Sequence, residues 1–220
     1  MDLLFPSPNW FYTYDVALEF VFALVAFYVS YVAFSIFRKT SQRYVLYFGI
    51  GFGTISFSYF VQSILNMFIL YHLGSEESFV SMILSVQAIN ILSLLAHIFF
   101  FTVGLSFLLF ITFKEKRLRL LWFLLLVPLS VIFMSQNMIY MFYLISSIYL
   151  FFISYHYISI FVSRKSLGQL LVALAFLFLF LGHFHFLISV NHHFFYVVGK
   201  VLELFSYCFI VGNFYMVYRK

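Results

Sequence analysis

An all-α integral membrane bundle is the fold class this sequence predicts: one domain, residues 1–220, of seven transmembrane helices with the N-terminus outside and the C-terminus cytoplasmic. Three observations carry the prediction. Seven long apolar runs follow one another along the chain. The chain is 65% hydrophobic and 9% charged, with a mean hydropathy of +1.08, whereas a soluble domain carries about 25% charged residues. Eleven of the twelve Lys and Arg residues sit in four clusters, Arg38/Lys39/Arg43, Lys114/Lys116/Arg117/Arg119, Arg164/Lys165 and Arg219/Lys220, on every second gap between the runs. The other gaps hold Glu76/Glu77, Ser135-Gln136-Asn137 and Asn191-His192-His193. Basic residues concentrate in short cytoplasmic loops, so the four clusters set the orientation.

A helix needs about 20 residues to cross the hydrocarbon core. The first span is expected from about Asp15 to Phe37. The start, Met1 to Tyr14, has no basic segment of the kind that opens a signal peptide, so this helix is expected to be retained. Phe5, Trp10, Phe11, Tyr12 and Tyr14, interrupted by Pro6 and Pro8, read as an aromatic segment at the outer interface. The second span covers Tyr44 to Tyr71. The third apolar stretch, Phe79 to Phe113, exceeds one crossing, and its membrane part is placed at Gln87 to Phe113. The fourth, Leu118 to Met134, is short and bears Pro128, which marks a kinked, lipid-facing helix. The fifth covers Met138 to Ser163, the sixth Leu167 to Val190 and the seventh Phe194 to Tyr218. Short inner loops make sequential helices antiparallel neighbours.

Net charge and cysteine usage narrow the partners. The charge of +5 is divided among helix-flanking clusters that meet anionic headgroups, so the lipid bilayer is the expected partner and nucleic acid is not. Cys208 is the single cysteine, which excludes an intramolecular disulfide. The 35 Phe and 17 Tyr fit an AT-rich codon bias as well as an aromatic-lined cavity and decide nothing.

Lys200 is the one basic residue outside the clusters, and it lies inside the seventh run. His193, Tyr196, Lys200, Glu203 and Tyr207 follow steps of 3, 4, 3 and 4, which places them on one helix face. A charge in the bilayer costs roughly 2.5–3.5 kcal/mol on insertion scales and turns to the bundle interior. At i, i+3 spacing Glu203 offsets Lys200. Gln87, Asn90, His97 and Gly104 form a stripe on the third helix, Ser58, Gln62 and Asn66 one on the second, and Asp15 and Glu19 lie on the first. The small residues Ala23, Ala26, Ser30 and Ala33 continue the first helix's face and allow close helix approach. Glu19, Gln62, His97, His183, Lys200 and Glu203 fall at one depth, in the outer half, which predicts a polar cavity opening outward. His183 and His185 are two residues apart and cannot both face it. His185 shares a face with Gly182 and Ser189 and is taken as the cavity residue. The candidate ligand-binding set is Lys200, Glu203, His97, His185, Glu19, Gln62, Asn90 and Tyr196. Each has a structural reading beside the functional one: Lys200–Glu203 as a packing ion pair, His97 as a hydrogen-bonded interior histidine, Gln62 as interhelical glue.

The run Phe195-Tyr196-Val197-Val198-Gly199-Lys200-Val201-Leu202-Glu203-Leu204, with Asn213 and the basic ending Tyr218-Arg219-Lys220, resembles the last helix of small archaeal seven-helix membrane proteins of unknown function. It is also similar to the seven-helix sensor regions that precede histidine kinases. The resemblance implies a sensory or scaffold role at the cell membrane, with a cytoplasmic or membrane protein partner.

The functional expectation is therefore a receptor- or sensor-like protein, or a scaffold, that binds a small ligand or partner and is not an enzyme. The alternatives are an accessory subunit of a membrane complex and a protein with His-ligated metal or haem. No cofactor is assigned. A retinal Schiff base on Lys200 lacks a third-helix carboxylate as counter-ion. A zinc hydrolase would need three ligands and an open position, and no HxxxH or HExxH motif supplies them. For a transporter, Gly49, Gly51 and Gly53 are a soft spot, but no internal repeat accompanies them.

Overall fold

The computed structural model describes Pro8 and residues 10–73, 79–113, 117–190 and 192–218. Among these residues the secondary structure is seven α-helices and no strand: α1 Tyr12–Thr40, α2 Arg43–Leu73, α3 Phe79–Thr112, α4 Leu118–Met134, α5 Met138–Arg164, α6 Leu167–Ser189 and α7 His193–Tyr218. Six are long and apolar enough to cross a membrane, and α4, with 17 residues, is shorter. Phe5 and Pro6, the acidic pair Glu76/Glu77, Lys114/Lys116, Asn191 and the terminal Arg219/Lys220 lie outside the described residues.

The α1–α2 and α5–α6 turns are each two residues long, and local chemistry fixes both. Ser41 and Lys165 take left-handed backbone conformations at the ends of α1 and α5, and their N–H groups bond Phe37 O at 2.8 Å and Phe161 O at 2.7 Å. Each bond satisfies a carbonyl the helix end leaves free. Exposed Arg38, Lys39 and Arg164 occupy the last turns, where a positive charge complements the helix dipole. At the opposite end of the bundle, Asn137 caps α5 by accepting from Tyr140 N at 3.0 Å.

The helices close into a ring in the order α1, α2, α3, α5, α6, α7, with α4 outside it against α3 and α5. Sequential pairs α1–α2, α2–α3 and α6–α7 share the longest seams, and α7 meets α1 along the shortest. Lipid tails offer no hydrophobic gain for helix association, so close backbones and interhelical hydrogen bonds hold such seams. Ser30, Ser56 and Ser63 donate across α1–α2 to Gly49 O, Ala23 O and Val16 O at 2.8, 2.8 and 3.2 Å. A Cβ on Gly104 would stand 2.7 Å from Gly51 O and 2.5 Å from Ile55. The glycines of α2 are thus packing contacts in an unbroken helix, not the soft spot their spacing suggested.

Pro128 shows how α4 is held. A proline cannot bond the carbonyl four residues back, here that of Leu124. Ser106 Oγ of α3 and Tyr149 Oη of α5 donate to this oxygen at 2.9 and 2.8 Å. The opposite face of α4 is apolar and exposed, with Trp122 and Phe123 each 61% accessible. α3 runs unbroken over 34 residues, about 50 Å of helix, and Val86–Thr112 is its span-capable part.

Candidate functional site

The interior of the ring is built by small residues on two seams. On the α6–α7 seam, a Cβ on Gly199 would lie 2.9 Å from Gly182 O and 2.4 Å from the Phe186 ring, so α7 approaches closely enough for the next residue, Lys200, to point inward. On the α1–α2 seam, the buried Ala23 and Ala26 set α1 so that Asp15 and Glu19 face the same space.

There the chain gathers one ammonium and three carboxyl groups. Lys200 Nζ stands 3.0 Å from Asp15 Oδ1, 3.8 Å from Glu19 Oε1 and 3.8 Å from Glu203 Oε2. Lys200 is 4% exposed, and Asp15, Glu19 and Glu203 are 2% or less. Phe22, Tyr59, Phe186 and Tyr196 surround the ammonium with ring centroids 5.7–5.9 Å from Nζ, within range of cation–π attraction. Removing an ion from water costs several kcal/mol even after relaxation, and geometry and extra hydrogen bonds must offset that. Here they are supplied by Tyr196 Oη, donating to Asp15 Oδ2 at 2.6 Å, Asn66 Nδ2, donating to Glu19 Oε2 at 3.0 Å, and Tyr59 Oη, donating to Glu203. Ser93 Oγ in turn donates to Asn66 Oδ1 at 3.3 Å.

A cavity of about 20 Å³ adjoins Lys200 and Glu203 and reaches Gln62, His97 and His183. That is room for about one water, much smaller than a cavity for an organic ligand. Phe11, which precedes α1, packs with Phe186 and Tyr196 beside the cluster. His97 is fixed by Ser58, whose hydroxyl lies 2.8 Å from Nδ1. His183 stacks on Phe101 at 4.9 Å, and neither of its ring nitrogens has a hydrogen-bond partner. The side-chain oxygen of Gln62 is likewise buried without one.

The sequence-predicted residues divide as follows. Lys200, Glu203, Glu19 and Tyr196 meet in the cluster, and Gln62 and His97 line the cavity. Asn90 is buried on α3, one turn before Ser93, and is not among the residues lining the cavity. His185 lies elsewhere: its Nδ1 is 2.7 Å from Leu181 O and its ring is beside Phe195. The histidine at the cavity is His183. Sequence spacing paired Lys200 with Glu203, but the closer partner is Asp15. Asp15 and Tyr59 were not in the predicted set. Tyr59 stands three residues before Gln62 and seven before Asn66, a spacing that marks the same face of α2.

Among the described residues, no three of His, Cys, Asp and Glu converge as a metal centre would require. Comparisons of the chain with protein-family models, with curated proteins and with solved structures find no match.

Proposed function

We infer that the chain is a seven-span sensor- or receptor-like protein of the cell membrane, N-terminus outside and C-terminus cytoplasmic, in which the Lys200 cluster is the switch. One observation supports this reading above the others: the shortest seam of the ring, α1–α7, is the one closed by buried charge. A ligand or partner acts on an equilibrium only through differential interaction with its two states. Ion pairs at a thin seam supply that difference, because opening it exposes Asp15, Glu19 and Lys200 together. The likeness of the last helix to sensor regions agrees with this role. α7 carries the motion inward, since Lys200 and the cytoplasmic end belong to one helix.

Spin-label pairs test it in vesicles, in a Cys208→Ser background. One pair, Tyr14→Cys/Phe194→Cys, reports the outer ends of α1 and α7, and another, Ile36→Cys/Tyr215→Cys, the inner ends. Weakening the seam with Asp15→Asn is expected to lengthen the outer distance and shift the inner one with it. An inner distance unchanged while the outer one moves would leave a scaffold without transmission.

A further inference from the structure

Three carboxyl groups share one buried ammonium, so with all of them ionised the site holds three negative charges against one positive. Every other Lys and Arg among the described residues is exposed and is no counter-ion for the cluster. Like charges at this separation in a dry interior do not all ionise together. A second observation is independent of the carboxyl groups. The cavity beside them is lined by His183 and Gln62, 2% and 6% exposed, whose imidazole nitrogens and amide oxygen have no partner. Those atoms are placed to donate to and accept from a single small polar species.

We propose that the cluster is a proton-binding site: Glu19 and Glu203 share an exchangeable proton taken up from the outer side, and a water in the cavity links Glu203 to His183. The proposal names the trigger of the switch inferred above and rests on that reading. Uptake moves a proton from hydronium in the outer water to a carboxylate oxygen, leaving water, and no other bond changes. Asp15 is in the first turn of α1 and Tyr196 at the start of α7, so the Tyr196–Asp15 hydrogen bond is the point of entry. The other ionisable groups facing the cluster are Tyr12 from α1, Tyr59 from α2, His97 from α3, Tyr143 from α5, His183 from α6 and Tyr207 from α7. Loss of a proton restores full attraction between the carboxylates and Lys200. Gain of one weakens it and loosens the α1–α7 seam.

Infrared spectroscopy of the full chain in vesicles, titrated with pH, reads the carboxyl groups directly. The other four Asp and Glu side chains, Asp2, Glu76, Glu77 and Glu115, lie outside the seven apolar runs. The expected result is a protonated-carboxyl C=O band at neutral pH that shifts in D₂O, disappears on alkalinisation and is diminished in Glu19→Gln and Glu203→Gln. The wild-type band is the primary readout, so a variant that fails to fold does not remove the test. No such band in the folded wild-type protein at neutral pH overturns the proposal. So does a band abolished at constant pH by Na⁺ or K⁺, which would make the ligand a metal cation. If pH moves the spin-label distances without a titrating band, the proton site fails and the switch stands. A titrating band with unmoved distances leaves the proton site and removes the switch.

Discussion

α1 has two seams, and they are built from different materials. Toward α2 it presents Ala23, Ala26 and Ser30, and three serine hydroxyls close the interface onto backbone carbonyls. Apart from the Asn66–Glu19 bond near one end, the groups there are neutral, and the bonds run along α1 from Val16 to Ser30. Toward α7 it presents Asp15 and Glu19, and the interface is short and charged. Neutral packing has one good arrangement and resists change. A seam held by ions depends on charge balance, which a proton, a ligand or a substitution alters. The difference places rigidity on one side of α1 and the capacity to respond on the other.

The largest effect is expected where the charged seam loses its only cation. Lys200→Met strands three buried carboxyl groups, and removing one partner of a buried pair costs about 3–5 kcal/mol. Thermal unfolding in detergent should show the greatest loss of any single substitution considered. Tyr59→Phe removes the donor to Glu203 and should cost about 1.5–3 kcal/mol, the range for hydrogen bonds to charged groups. A loss no greater than that of an exposed control would place Tyr59 outside the network.

The neutral seams should respond to volume instead. Gly104→Ala sets a methyl 2.7 Å from Gly51 O, and overpacking of this kind costs about 1–3 kcal/mol. Its effect should be insensitive to Asp15→Asn, since the two sites share no partner. Smallest of the four is Ser56→Ala, which loses one bond to Ala23 O. Hydrogen bonds between membrane helices average about 0.6 kcal/mol. If Ser56→Ala cost as much as Tyr59→Phe, the contrast between the neutral α1–α2 seam and the charged cluster would collapse.

Much of this architecture is legible in the sequence, for a physical reason. Hydrophobic run length is a local property, and backbone groups in hydrocarbon leave few alternatives to helix. Lys200, Glu203 and Tyr196 stand out because a charge inside an apolar run has to turn inward. Which groups meet there is a property of tertiary packing. Asp15 sits at the edge of its run, where a carboxylate reads as an interfacial residue, yet it reaches Lys200, far away in the chain, only because α1 and α7 close the ring. His183 is flanked on its own face by Phe176, Leu179 and Phe186, all buried and apolar, so no polar stripe marks it. His185, beside a small-residue pattern, drew attention that belonged to its neighbour. Phe11, Phe186 and Tyr196 pack together beside the cluster, and three rings in a chain with 35 Phe and 17 Tyr carry no signal of that contact.

The central claim is that Asp15 and Lys200 couple across the α1–α7 seam. A double-mutant cycle of Asp15→Asn and Lys200→Met, read by unfolding in detergent, measures that coupling alone. Residues in direct contact show interaction energies of about 0.5–3 kcal/mol, and the 3.0 Å ion pair predicts a value in the upper half of that range. Additivity of the two substitutions to within about 0.3–0.5 kcal/mol would contradict it.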